Sequence, residues 1–272
     1  MTPSNPGLKE DLLQKIKSVF LEELPIQPAN QTELPLLEQD KVKKFDESIK
    51  SLIYEYDSDG NLLLPEGDFT IPVMTYCLQS QSSSPSKHQY TLSTLIGKRA
   101  DIIKKITSRA SPQFSFDKIQ LLIWSLQADL KYSELSENNK AIINFLFLET
   151  PSELKSSLLD KLEKETWFKN DKILNLLGDA GTQIRELQNI HEQAFAAQDD
   201  FNKFSALINT QTTKPSAFKT TPWSQIENNI SARFVTEGHY QNIGFLQINV
   251  QNTKRNRTIN NFSREKIKIN IS

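Results

Sequence analysis

Cys77 is the residue in this chain whose type best suits nucleophilic chemistry. It is the only cysteine and lies in VMTYCLQSQ, residues 73–81, within an apolar and aromatic run. A cysteine thiolate is a strong nucleophile, and a histidine beside it lowers the pKa of the thiol. His88 follows along the chain, so a cysteine hydrolase with His88 as base is one hypothesis. A buried lone cysteine also serves as a small apolar residue of a core.

Other motifs that carry chemistry are absent from the sequence. The three histidines, His88, His191 and His239, lack metal-ligand spacing, and there is no HExxH, P-loop, GxGxxG or GxSxG. A single cysteine excludes an intrachain disulfide and a thiolate-rich metal site. We therefore expect neither a metal nor a cofactor. His191 and His239 are interpreted as a helix residue and a turn residue without a catalytic role.

A second stretch, DKIQLLIWSL at residues 117–126, suggests a partner for the cysteine. Together with YCLQ at 76–79 it resembles the bacterial thioester domains of surface adhesins, over roughly residues 60–130. That family carries an aromatic–Cys–aliphatic motif on a strand and then an aliphatic–Gln–x–x–aliphatic motif, often ending in tryptophan, that opens a helix. The matching residues are Tyr76, Cys77, Leu78, Ile119, Gln120, Ile123 and Trp124.

The resemblance implies that Cys77 and Gln120 join as an internal thioester. The apolar neighbours, among them Leu78, Leu121 and Trp124, would keep water away from that bond. A lysine amine on a partner protein or surface would then be captured as an isopeptide, without a cofactor. The resemblance thus implies a binding module that reacts once, rather than an enzyme with turnover.

Two further hypotheses stay open at this point. The first is a structural or assembly protein that binds its partner non-covalently and keeps an unreacted Cys/Gln pair. In that case the apolar residues of IQLLIW are simply the core face of a helix. The second is the cysteine hydrolase with Cys77 and His88.

Composition bounds the class of protein. The chain has 272 residues, a hydrophobic fraction of 37% and a formal net charge of −1, so its overall charge predicts no nucleic-acid partner. No apolar run is long enough for a transmembrane segment, and the first residues show no signal peptide. The thioester resemblance implies a secreted or cell-surface protein, with a cytoplasmic location left open.

The pattern of elements predicts an α+β fold. We expect a β-containing N-terminal part with the Cys77 segment, a helical middle and a small antiparallel β end. The predicted divisions are an N-terminal helix and linker (1–35), a thioester-like α+β domain with a helical extension (36–212) and a β module (213–272). Helices are predicted at 93–110, 115–130 and 179–209, and a β-hairpin at 230–252. Pro72 favours an edge position or a strand start for the segment before Cys77.

Overall fold

The structure, a computed structural model, describes residues 14, 16, 18, 20, 22–26, 34–37, 55–56, 62–74, 76, 92–110, 113–165, 167–208, 221–227, 229–235, 243–251 and 267–269. It combines helices with antiparallel sheets, which confirms the α+β class. The chain divides into two compact units. The helical unit takes its described residues from 1–28 and 95–210, and the β unit takes its own from 29–77, 82–94 and 211–272.

The described helices after residue 99 belong to the helical unit. They are α1 (Ala100–Arg109), α2 (Phe116–Gln127), α3 (Glu137–Leu146), α4 (Leu158–Leu162), α5 (Asp171–Leu176), α6 (Asp179–Ala197) and α7 (Phe201–Ile208), with short 3-10 helices at Tyr132–Glu134 and Ser152–Leu154. The described residues between 14 and 23 are also helical. Helices α1 and α2 confirm the predicted segments, with shorter bounds.

Helix α2 is the central helix of this unit, because every side chain from Ile119 to Leu126 is buried. Its sequence, FDKIQLLIWSLQ, is apolar around its whole circumference except for a few polar positions, which is typical of a helix enclosed by others. Ser115 occupies the N-cap position with extended dihedral angles, and Asp117 lies in the first turn, where a negative charge is favourable. The helix that carries Gln120 is therefore where the sequence predicts it.

The predicted helix 179–209 is wrong as a single helix. Helix α6 ends at Ala197, and Gln198 adopts a left-handed conformation with φ of 49°. Asp200 then accepts a hydrogen bond from the amide of Lys203 at 3.0 Å and so begins α7. An aspartate favours such an N-cap position over a helix interior, and the turn it starts makes α7 a separate element.

The main sheet of the β unit has four antiparallel strands. They are β3 (Gly67–Met74), β4 (Ser224–Glu227), β5 (Ile230–Val235) and β6 (Ile243–Val250), in the order β3-β6-β5-β4. Strands β5 and β6 confirm the predicted hairpin. Strand β3 pairs with β6 over its full length and forms an edge of the sheet. Pro72 thus lies on an edge strand, where its missing N–H costs no ladder hydrogen bond.

A second sheet joins β1 (Glu55–Tyr56), β2 (Leu62–Leu64) and β7 (Ile267–Ile269) in the order β1-β2-β7. Strand β7, near the end of the chain, thus pairs with β2 from its N-terminal part. One apolar cluster lies against the main sheet and contains Leu64, Phe69, Ile71, Ile230, Ala232, Ile248 and Val250. Strands from both ends of the chain thus share one core. The domain boundaries predicted at 35 and 212 stay predictions.

Candidate functional site

The cysteine segment is described up to the residue before the cysteine. Strand β3 ends at Met74, and Tyr76 is half-buried with its hydroxyl donating to the Met74 sulfur at 3.3 Å. Burial raises the pKa of the Tyr76 phenol. Cys77, Leu78 and His88 lie outside the described residues. The strand predicted to lead into Cys77 is present, and the positions of the thiol and of the alternative base stay predictions.

Gln120 lies in the second turn of α2 and is fully buried. The other predicted motif residues on this helix, Ile119, Ile123 and Trp124, are buried with it. A buried carboxamide must have hydrogen-bond partners, since an unpaired one costs several times the free energy of an ordinary hydrogen bond. The chain therefore buries a carboxamide, a potential acyl donor, on an otherwise apolar helix. A helix that served only as core packing would not require a glutamine at this position.

Trp124 lies one turn after Gln120 on the same face of α2, because residues four apart are neighbours along a helix. Its ring stacks on Phe201, with centroids 5.4 Å apart, and on Phe204, with centroids 5.6 Å apart. Helical side chains lean toward the helix N-terminus, so the indole extends over the turn that holds Gln120. Trp124 and the two phenylalanine rings thus form an aromatic layer one helical turn after Gln120.

A buried ion pair lies at the other end of α2. Arg99 and Asp129 are almost fully buried, with Arg99 Nη2 3.0 Å from Asp129 Oδ1. Arg99 Nη1 donates to the carbonyl oxygens of Leu126 and Leu130, both at 2.9 Å. Leu126 lies in the last turn of α2, where its carbonyl also accepts from the amide of Asp129 at 3.2 Å, and Leu130 lies just beyond the helix. The guanidinium therefore caps the C-terminus of α2.

Asp129 extends this network to helix α4. Its Oδ2 accepts hydrogen bonds from the amides of Leu158 and Leu159, at 2.6 and 3.2 Å. Asp129 adopts a left-handed φ of 63°, which aspartate tolerates better than most residues. Burial raises the pKa of the Asp129 carboxyl, and Arg99 and the two amides oppose that rise. The cluster holds α1, α2 and α4 together.

Sequence reasoning missed Arg99 and Asp129 as buried residues. Arg99 stands in GKRAD and Asp129 in QADLK, and both segments have the composition of a polar surface. No residue pattern marks which of several charged side chains is enclosed. A partial signal in the sequence was the aspartate just after the predicted helix, because Asp is enriched in left-handed turns.

His191 has a structural role, as its place in a helix suggested. Its Nδ1–H donates to the carbonyl oxygen of Ala128 at 2.9 Å, and its Nε2 lies 3.6 Å from Glu134 Oε2. It thereby connects α6 to the turn after α2. Within the described part of the chain, no group of three or more His, Cys, Asp or Glu side chains is arranged to hold a metal ion.

Apolar side chains are exposed where α3 ends. Phe145 is 55% exposed and Leu148 is fully exposed. The edge of the Phe114 ring meets Phe145 with centroids 5.4 Å apart, and the Lys105 ammonium lies 4.1 Å from the centre of the Phe147 ring. Exposed apolar clusters of this kind are typical of binding surfaces. Among the described helices, none is long and apolar enough to cross a bilayer.

Comparisons with protein-family models, with curated proteins and with solved structures find no match for the chain. A function for it therefore rests on its own residues and on their geometry.

Proposed function

We propose that this chain is an interaction protein that captures amine groups through an internal thioester between Cys77 and Gln120. The observation that carries the proposal is the complete burial of the Gln120 carboxamide on an otherwise apolar helix. The motif order, the strand before Cys77 and the helix around Gln120 agree with the thioester resemblance. The burial of Gln120 and of Trp124 one turn later would keep water away from such a bond.

The bond would form by acyl transfer. The Cys77 thiolate attacks the side-chain carbonyl carbon of Gln120, the C–N bond breaks, and the amide nitrogen leaves as ammonia after taking up protons. An amide is a poor electrophile, so the reaction needs the sulfur and the carbon to be held in contact. Helix α2 would hold one of the two reacting side chains in place, because its enclosure fixes the rotamer of Gln120.

Capture of the partner would follow by a second acyl transfer. A neutral lysine amine on a protein or surface attacks the thioester carbon, the C–S bond breaks, and the thiol of Cys77 re-forms. The product is an isopeptide bond to residue 120, without a cofactor and without turnover. Such chemistry suits a secreted or cell-surface protein, and this location is part of the proposal.

The test is the intact mass of freshly purified protein. We expect the wild type to be lighter than its sequence by one ammonia, and to gain the mass of one methylamine when that amine is added. Cys77→Ala and Gln120→Leu should both have full mass. Gln127→Ala is the matched control, because it removes a second glutamine from the same face of α2 and should keep the deficit.

A full mass for the wild type, together with ready alkylation of Cys77, would overturn the covalent proposal. The second candidate, a protein that binds its partner non-covalently, would then lead. It is favoured by the exposed Phe145 and Leu148, which a partner's apolar side chains would cover. A cysteine hydrolase with Cys77 and His88 stays a third hypothesis, and loss of hydrolysis of activated ester substrates in His88→Ala would support it.

A further inference from the structure

The N-terminal helix, whose described residues lie between 14 and 23, packs on an apolar surface of the helical unit. Ile16 and Phe20 in the helix and Leu24 just beyond it are four positions apart, so they form one apolar stripe. Phe20 is fully buried and Leu24 is buried. The stripe packs in one cluster with residues of α4 to α6 and their connections, which form the helix-docking surface: Leu158, Leu159, Leu162, Phe168, Leu174, Leu177, Ile184 and Leu187.

Two ammonium groups hold the end of the helix to its unit. Glu23 Oε2 accepts hydrogen bonds from Lys161 Nζ, at 2.6 Å, and from Lys98 Nζ. All three side chains are partly exposed to solvent. The helix-docking surface therefore fits an amphipathic helix that carries a carboxylate one position before its last apolar residue.

The backbone just after the helix is also held in place. The carbonyl oxygens of Leu24 and Pro25 accept hydrogen bonds from the amides of Lys98 and Arg99, both at 3.0 Å. A Cβ atom at Gly97 would lie only 2.5 Å from the Pro25 carbonyl oxygen, so glycine permits this close approach. The attachment is therefore specific in its polar groups as well as in its apolar stripe.

The helix is joined to the rest of its unit through the β unit. Residues 1–28 and 95–210 belong to the helical unit, whereas residues 29–77 and 82–94 between them belong to the β unit. The helix can therefore detach without unwinding the helices on which it packs. An element of this kind can be exchanged between identical chains, because a second copy offers the same contacts.

We propose that the helix-docking surface binds the N-terminal helix of a second copy of this chain in exchange for its own. The second copy is the occupant that fits by construction, since its helix carries the same apolar stripe and the same glutamate. A single apolar stripe on an apolar surface is also how proteins commonly bind a partner's helix. The inference is independent of the thioester proposal, because it uses no residue of either motif.

Ordinary core packing gives a different expectation. If the N-terminal helix only adds to the core, it leaves the surface when the unit unfolds, and the folded protein cannot bind a second helix there. If the helix detaches locally, a free helix of the same sequence competes for the vacated surface. The apparent affinity for the competitor then rises with the fraction of chains whose own helix is detached.

The experiment titrates a fluorescent peptide of residues 8–28 into the full chain and measures anisotropy at equilibrium. Glu23→Gln in the chain weakens the attachment of its own helix, so the wild-type peptide should bind about twofold to fivefold more tightly. The same substitution in the peptide should weaken its binding to the wild-type chain by the same factor. With both substitutions the two effects should cancel. Opposite signs are not expected if Glu23 only stabilises the fold.

Two control variants make the test specific. Glu22→Gln, in the chain or in the peptide, should change nothing, because Glu22 is the exposed neighbour of Glu23. Phe20→Ala is made in the peptide alone, so that folding of the chain is unaffected. It should weaken binding more than about a hundredfold, since Phe20 is the fully buried residue of the stripe. A peptide that does not bind, or a Glu23→Gln chain that binds it no more tightly, would overturn the proposal.

A second readout tests exchange between whole chains. Unlabelled and nitrogen-15-labelled copies of the full chain are mixed at high concentration, and native mass spectrometry follows dimers of intermediate mass. We expect such mixed dimers, and we expect them to form faster when both copies carry Glu23→Gln but not Glu22→Gln. Peptide binding without mixed dimers would overturn the second copy as the occupant.

Discussion

The two ends of helix α2 bury polar groups in different ways. After its C-terminus, Asp129 pairs with Arg99 and accepts hydrogen bonds from two backbone amides, so its charge is fully partnered. Near its N-terminus, Gln120 buries a neutral carboxamide. The first arrangement connects three helices, and its charged groups find their partners within the fold. The second keeps an uncharged polar group away from water, as the proposed thioester would require.

This difference predicts that substitutions at the two ends of the helix have different effects. A buried ion pair whose hydrogen bonds are all made has no free donor or acceptor for a ligand. Removal of one partner leaves the other charge buried without a counter-ion, which lowers the stability of the fold. A buried carboxamide carries no charge, so the fold tolerates its replacement better. We therefore expect substitutions at Asp129 to lower the stability of the fold more than substitutions at Gln120.

The largest effect is expected for Asp129→Asn. The substitution leaves the Arg99 guanidinium buried without its counter-ion, which costs about 3–5 kcal/mol of unfolding free energy. Asp117→Asn, at the opposite end of the same helix and exposed to solvent, should cost less than about 1 kcal/mol through the helix dipole alone. Urea unfolding followed by circular dichroism measures both. Equal losses in the two variants would show that the ion pair does not hold the helical unit together.

An effect of intermediate size is expected from the proposed covalent bond. Cys77 and Gln120 are 43 positions apart, and a cross-link over a loop of that length stabilises a protein by about 2–4 kcal/mol. Cys77→Ala and Gln120→Leu should each lose that contribution, and the double variant should lose no more than the larger of the two. A double-mutant cycle in unfolding free energy measures this coupling. Strictly additive losses would mean that the two side chains act independently.

The sequence predicted elements whose patterns are local. FDKIQLLIWSLQ contains its own N-terminal signals, the hairpin strands alternate, and Pro72 indicates an edge strand. The pairing of β3 with β6 joins segments far apart in the chain, which no local pattern specifies. The break between α6 and α7 was missed because the apolar period continues through Phe201 and Phe204, and only the backbone conformation of Gln198 reveals it.

The buried Arg99 was missed for a related reason. Burial of a charge depends on what the rest of the fold places around it, and an arginine in a polar segment looks the same whether exposed or enclosed. For the candidate site, the helix that carries Gln120 was predicted from the sequence, but the stacking of Phe201 and Phe204 on Trp124 was not. That stacking depends on a helical hairpin whose turn has no glycine or proline to mark it.

The smallest effect is expected for the ion pair between Lys131 and Asp160. The Lys131 ammonium donates to both carboxylate oxygens of Asp160, at 2.8 and 2.9 Å. Burial acts to raise the pKa of Asp160, but hydrogen bonds from Lys131 and Ser157 bring it below its ordinary value. The hydrogen bond to Asp160 in turn raises the pKa of Lys131. The pair therefore contributes its full stability at neutral pH.

That contribution should fade on the acid side as the pH falls through the lowered pKa of Asp160. Since both side chains are partly exposed, it is at most about 1 kcal/mol. Asp160→Asn keeps an oxygen that can accept the hydrogen bond from the Ser157 amide, and it removes the charge together with one of the two acceptors of Lys131. Urea midpoints of wild type and variant should converge as the pH is lowered. If their difference stays constant from neutral to acidic pH, the ion pair contributes nothing, and Asp160 acts only through the capping box that it forms with Ser157 at the start of α4.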